Sequence, residues 1–157
     1  MDLDIRQANL KDLHAICDLF YNTIHAVNSK DYDASQIKVW SANRENDELW
    51  RKRLSTQYFI VAVHSEQIVG FSSVATNGYL DLMFVHQHYQ GKGIATGLLA
   101  EIERYVIDNL SEKTLTTHAS ITAQPFFLKK GFKMIKQQTV KVQGTGLINF
   151  VMQKELK

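Results

Sequence analysis

The sequence predicts a mixed α/β fold of the α+β kind, in which helices flank one central mixed sheet. Segments of two-residue alternation are interleaved with segments of helical period along the whole chain. Their order, β-α-α-(α)-β-β-β-α-β-α-β-β, contains one strand-helix-strand unit, which implies a right-handed crossover. No linker, repeat or low-complexity stretch interrupts the 157 residues, so residues 1–157 are expected to form a single domain.

"DLDIRQA" alternates and opens the chain as a strand. "LKDLHAICDLFYNTIHAVN" is helical, with Leu13, Ile16, Phe20, Ile24 and Val27 on one stripe. After the break at "SKDY", "DASQIKVWS" and "NDELWRKRLS" read as short helices, the first with Asp33 as N-cap. "QYFIVAVHS" and "QIVGFSSVAT" are strands around a turn at Ser65–Glu66, and "GYLDLMFVH" is the next strand. A glycine-rich segment then enters a helix that runs to about Leu110, pinned to the sheet by Leu98, Leu99, Ile102 and Tyr105 or Val106. "KTLTTHAS" is a strand. "TAQPFFLKKG" is a short helix with Pro125 in its first turn and Gly131 just past its end. "FKMIKQQTVKV" and "LINFVMQKEL" are alternating strands joined by "QGTG".

Composition excludes several function classes. Eighteen basic and sixteen acidic residues leave a formal charge of +2, and no basic run suggests nucleic acid or a membrane surface. "MDLDIRQANL" has neither the basic nor the apolar region of a secretory signal, and the longest apolar run, near "FIVAV", is far short of a spanning helix. Cys17 is the single cysteine, so no intrachain disulfide forms. A reducing cytoplasm is the expected compartment, with Cys17 a buried thiol rather than a nucleophile.

The segment "HYQGKGIATGLLAEIERYV" carries the strongest functional signal. It is not a Walker A loop, because Gly91-Lys92 is followed by Gly93 rather than Ser or Thr. Gly91, Gly93 and Gly97 come close to a dinucleotide fingerprint, but that motif sits on the first strand-helix unit of a repeated parallel sheet, and here about half the chain precedes it. Two readings remain: a tight strand-to-helix turn, or a pyrophosphate cradle at a helix N-terminus. For the cradle, small residues at 91, 93 and 95 give clearance, free N–H groups donate, and Lys92 adds a cation.

"LMFVHQHYQGKGIATGLL" resembles motif A of the GNAT superfamily of N-acetyltransferases, an apolar strand, then [RQ]-x-x-G-x-[GA], then a helix. "SITAQPFFLKKGF", Ser120 to Phe132, resembles motif B, and the order of elements fits along essentially the whole chain. The stretches "TIHAVNSKDY" and "TAQPFF" resemble a small bacterial, YafP-like branch. The resemblance implies a GNAT fold whose fourth and fifth strands splay apart, and acetyl-CoA as acyl donor with no metal. It places the pantetheine along Phe84 and Val85, with Met83 nearby. It places the pyrophosphate on the backbone of Gly91, Gly93, Ile94, Ala95 and Thr96, with Gln90 contributing and Lys92 beside it. Lys130 is a lesser candidate for a CoA phosphate.

Direct attack of an amine on a thioester needs positioning and a route for a proton, not a protein nucleophile. The motif B tyrosine that usually protonates the departing thiolate is Phe127 here, which cannot do so, and the motif B asparagine is Ser120. Phe127 is expected to pack on the pantetheine arm. Asp81 is the first candidate for general base or amine anchor, with pairing to a nearby cation as its alternative. By the period of two, Asp81 shares a strand face with Tyr79, Met83 and Val85. His118, opposite on the next strand, is the second candidate base. Tyr21 and His25 on the first helix, and Tyr32 and Trp40 after it, are candidates to frame the acceptor pocket. His14, Asp18 and His25 share helical spacing but lack a fourth metal ligand. The expected acceptor is a small-molecule or peptide amine, and the last hairpin offers edges for a homodimer. The rival expectation is an acyl-CoA-binding domain that does not turn over.

Overall fold

The computed structural model of the chain describes residues 1–111 and 113–157. Seven strands form one sheet in the order β1-β2-β3-β4-β5-β7-β6: β1 (Asp4–Gln7), β2 (Tyr58–His64), β3 (Gln67–Val74), β4 (Tyr79–Val85), β5 (Thr114–Ser120), β6 (Lys133–Val142) and β7 (Thr145–Glu155). Among the described residues only β4 and β5 run parallel, and helix α4 (Ile94–Asn109) makes the crossover between them, as expected. The mixed α/β fold class is therefore the observed one.

Apolar side chains are buried on both faces of the sheet. On one face α1 (Leu13–Ala26), α2 (Ala34–Ser41) and α3 (Asp47–Thr56) cover a core containing Ile16, Phe20, Trp50 and Phe71. On the other, α4 lays Ile94, Leu98, Leu99, Ile102 and Val106 on the sheet, and the short α5 (Gln124–Lys129) adds Phe127. The local signals behave as their chemistry requires. Asp33 caps α2, its carboxylate accepting from the Gln36 N–H at 2.9 Å while the Gln36 side chain accepts from the Asp33 N–H at 2.8 Å. Ser65 and Glu66 both have positive φ, the geometry of a two-residue hairpin turn. The final hairpin is tighter than "QGTG" suggests. Gln143 and Gly144 alone make the turn, at φ of 48° and 82°, and Thr145 and Gly146 already belong to β7.

Two irregularities in β4 shape the surfaces on either side of it. Ser73 of β3 faces Leu82 and Val74 faces Leu80, so Asp81 is an extra residue, a β-bulge. Leu80 then joins the α4 core while Leu82, two residues on, joins the α1 core. This corrects the expectation of one shared face: Met83 and Val85 pack toward α4, whereas Asp81 reaches α3. Second, among the described residues β4 and β5 pair only at Tyr79–Thr116 and Leu80–Thr117. Past those rungs the strands separate, and β5 stays paired with β7 as far as Ser120.

Candidate functional site

The glycine segment supplies an open helix start. Gly91 and Gly93 have φ of 73° and 82°, which L side chains adopt only under strain, and a Cβ on either would meet no atom within 4 Å. The helical ladder of α4 begins with the Gly97 N–H donating to the Gly93 carbonyl at 3.1 Å. The N–H groups of Ile94, Ala95 and Thr96 precede it, and among the described residues no side chain caps them. With no acidic residue in the first turn, the positive end of a sixteen-residue helix faces the solvent side of this loop.

That start opens on a cleft of about 420 Å³ that runs along the gap between β4 and β5. Backbone polarity makes the gap wall a hydrogen-bonding surface. The His86 N–H donates to the Val69 carbonyl at 2.8 Å, which sets the alternation of the β3–β4 ladder. Phe84 therefore turns its main-chain groups to β3, and Met83 and Val85 turn theirs into the gap. The Val85 carbonyl already accepts from Thr23 Oγ1 at 3.1 Å and Gln90 Nε2 at 2.7 Å. The Gln90 side chain is thus tied to the strand end rather than aimed at the helix start. Thr23 of α1, with Val27 and Asn28 just past its end, completes this wall.

Several expected residues stand elsewhere. Phe127 is 2% exposed and packs edge-on against Phe126 and Phe132, and of the two adjacent phenylalanines it is Phe126 that lines the cleft. Lys92 is exposed and off the lining, and Lys130 lies over the Phe126 ring, its Nζ 5.8 Å from the centroid. Ser120 accepts from the Ala123 N–H at 3.0 Å, shaping the turn into α5, and lines the cleft.

A second hollow, about 290 Å³, lies across the gap and shares the walls made by Trp40, Met83, Phe84, Ser120 and Ala123. Tyr79, Asp81 and His118 all line it, the Tyr79 and His118 rings meeting edge-on at 5.1 Å. Burial, with the Asp81 charge adding to it, pushes the Tyr79 phenol up to about 12. Asp81 does have the cation that its alternative reading anticipated: Oδ2 accepts from Arg53 Nε at 3.0 Å and from Gln57 Nε2 at 3.0 Å. Neither Arg53 nor Gln57 was singled out from the sequence, because "NDELWRKRLS" reads as a solvated charged helix.

Tyr32 borders the hollow, but its hydroxyl is committed, donating to the Ile148 carbonyl at 2.7 Å and accepting from the Ile121 N–H at 2.9 Å. It ties the segment after α1 to β7 and to the residue that follows β5, with Trp40 edge-on at 5.3 Å. Tyr21 and His25 line neither cavity. They stack on each other at 4.3 Å, with Arg44 over Tyr21 and Ser41 hydrogen-bonded to His25 Nε2 at 2.9 Å. Among the described residues no His, Cys, Asp and Glu group is arranged to hold a metal ion, and no helix is long and apolar enough to cross a membrane.

A splayed β4–β5 pair with an uncapped helix start at its mouth defines a class of fold, and comparison with known proteins gives it a family. The acetyltransferase (GNAT) domain profile matches residues 28–156. The chain is 34% identical over 151 residues to the N-acetyltransferase YafP of Escherichia coli K12, covering 96% of this chain and 95% of that one. Its fold matches a GCN5-related N-acetyltransferase of Rhodopseudomonas palustris at a TM-score of 0.95, with 27% identity over 99% of this chain and 97% of that one. The PaiA N-acetyltransferase of Thermoplasma acidophilum, solved with coenzyme A, matches at a TM-score of 0.79 with 18% identity, over 99% of each chain. The chain belongs to the GNAT family of acetyltransferases.

Proposed function

We propose that the protein is an N-acetyltransferase that moves the acetyl group of acetyl-CoA to an amine by direct attack in a ternary complex. The observation that carries this reading is the joining of two cavities across the β4–β5 gap. One has an uncapped helix start and a free strand edge, and the other a carboxylate, a phenol and an imidazole. The Thermoplasma relative was solved with coenzyme A, and a Salmonella typhimurium relative, YncA, with acetyl-CoA.

The residues divide the work by their chemistry. The N–H groups of Ile94, Ala95 and Thr96, with clearance at Gly91 and Gly93, suit a diphosphate. The main-chain groups of Met83 and the N–H of Val85 in the gap suit the amides of a pantetheine arm, the Val85 carbonyl being taken by Thr23 and Gln90. A backbone N–H there can also donate to the thioester carbonyl oxygen as it gains negative charge. The amine arrives protonated at neutral pH and must lose a proton before attack. Asp81, its Oδ2 held by Arg53, suits an anchor for that ammonium. His118, exposed at the same hollow, is the side chain suited to take the proton. Phe127 donates nothing, so the thiolate leaves to solvent. A thiolate is a weak enough base for this to cost little at neutral pH.

The test is twofold. Acetyl-CoA at millimolar concentration should raise the melting temperature. A thiol-release assay over a panel of amines should then show turnover that falls on His118→Ala. Absence of any thermal shift or calorimetric heat with acetyl-CoA would refute the donor reading. Binding without thiol release on any amine would favour a non-catalytic acyl-CoA-binding domain.

A further inference from the structure

Arg53 neutralises Asp81 with only part of its guanidinium. Its Nε donates to Asp81 Oδ2 at 3.0 Å, while among the described residues its two terminal amino groups meet no protein acceptor. The side chain is 18% exposed and borders the hollow. It is also held still: the guanidinium carbon lies 4.9 Å above the ring of Trp50, which is fully buried and donates its own Nε1 to the Asn43 carbonyl at 2.9 Å. A stacked, ion-paired arginine with a free fork is pre-organised to take a carboxylate. Asp81 Oδ1, next to it, receives no protein donor among the described residues.

We propose that the acceptor is an α-amino acid or a closely similar amino carboxylate, its carboxylate bound by the terminal amino groups of Arg53 and its amine by Asp81. Resting on the acyl-transfer reading of this site, the proposal goes on to name the substrate class. The opposite charges of Arg53 and Asp81 stand side by side, as do those of an α-amino acid. The hollow, at about 290 Å³, has room for a small molecule or a chain end rather than a folded surface. Its remaining walls, including Phe20, Leu82, Val140 and Leu147, suit an apolar side chain. A polyamine, with no carboxylate, would leave Arg53 unmatched and bring a second cation toward it.

The experiment titrates phenylalanine, phenylalaninamide and phenethylamine by calorimetry into CoA-saturated protein, with leucine, leucinamide and 3-methylbutylamine as a smaller matched set. Wild type and Arg53→Gln are compared, since glutamine can still donate to Asp81. The free acids should bind about ten- to a hundredfold more tightly than their amides and amines, the range for one charge-assisted pair. Arg53→Gln should erase that preference while leaving CoA affinity unchanged. The proposal is overturned if the amides or amines bind as tightly as the acids, if neither acid binds, or if the preference survives in Arg53→Gln. Failure of CoA itself to bind wild type would sink the donor reading instead, and titration of the acids into the free protein would still decide what Arg53 does.

Discussion

The side-chain amide of Gln90 donates to the main-chain carbonyl of Val85 at 2.7 Å, joining the loop before α4 to the last residue of β4. The helix start and the free strand edge are thereby held in one relation, and a ligand spanning both meets a site already set. Gln90→Ala should weaken acetyl-CoA binding by up to about tenfold, the value of one hydrogen bond. The melting temperature of the free protein should barely move. Calorimetry with acetyl-CoA checks both points, and unchanged affinity would show that the clasp contributes nothing to the site.

Two glycines with similar φ should behave in opposite ways. At Gly93 a Cβ would meet nothing within 4 Å, so Gly93→Ala should cost only the backbone strain, about 1–2 kcal/mol. Gly93→Glu should fold but lose acetyl-CoA, because bulk and negative charge enter the cradle. At Gly78 a Cβ would sit 2.3 Å from the Thr114 carbonyl oxygen, beside the two rungs at Tyr79 and Leu80 that pair β4 with β5. Gly78→Ala should therefore lower the melting temperature more than Gly93→Ala does. Thermal scans with and without acetyl-CoA separate the two effects.

Acid should weaken the fold through Asp12. Its carboxylate accepts from Arg6 at 2.8 and 2.9 Å and from the Asn9 N–H at 2.8 Å. The Arg6 hydrogen bonds, more than the opposing effect of burial, hold it below the ordinary carboxylate value. A carboxyl depressed in the folded state stabilises the protein at pH values above its unfolded pKa of about 3.9. That contribution is lost as pH falls through the lower folded value. Asp12→Asn should therefore cost about 1–2 kcal/mol at pH 7 and progressively less below about pH 4. Urea unfolding of both proteins at pH 7 and pH 3 tests it, and an equal difference at both would refute the assignment.

Cys17 should stay silent in a thiol assay. Burial pushes its thiol up to about 11, so the reactive thiolate is on the order of one part in a thousand at pH 8. Native protein should react with Ellman's reagent far more slowly than protein unfolded in guanidinium. Rapid labelling of the native state would refute this and would require Cys17→Ser before thiol release is used as a readout.

Local signals were the legible ones. The Asp33 cap, the Ser65–Glu66 turn, the α1 and α4 stripes and the Gly91 and Gly93 start of α4 each depend on residues within a few positions of one another. The acceptor side depends on contacts distant in sequence. Asp81 lies 28 residues from Arg53, and the Tyr32 hydroxyl is spent on Ile148 at a separation of 116, so neither partner shows in a periodic pattern. The face predicted for Asp81 failed for a related reason: strict alternation assumes an unbroken ladder, and the bulge at that residue breaks it.

By itself, then, the sequence determined the order and type of the elements, the open start of α4 and the family motifs, because backbone conformation and amphipathic period are short-range properties. The tertiary structure alone decided which side chains meet across the gap. It buried Phe127 and turned the Phe126 ring to the cleft. It also stacked Tyr21 on His25 away from both cavities and brought the guanidinium of Arg53 to the carboxylate of Asp81. Those outcomes come from how three helices and a bulged strand pack, which fixes positions that no spacing along the chain encodes.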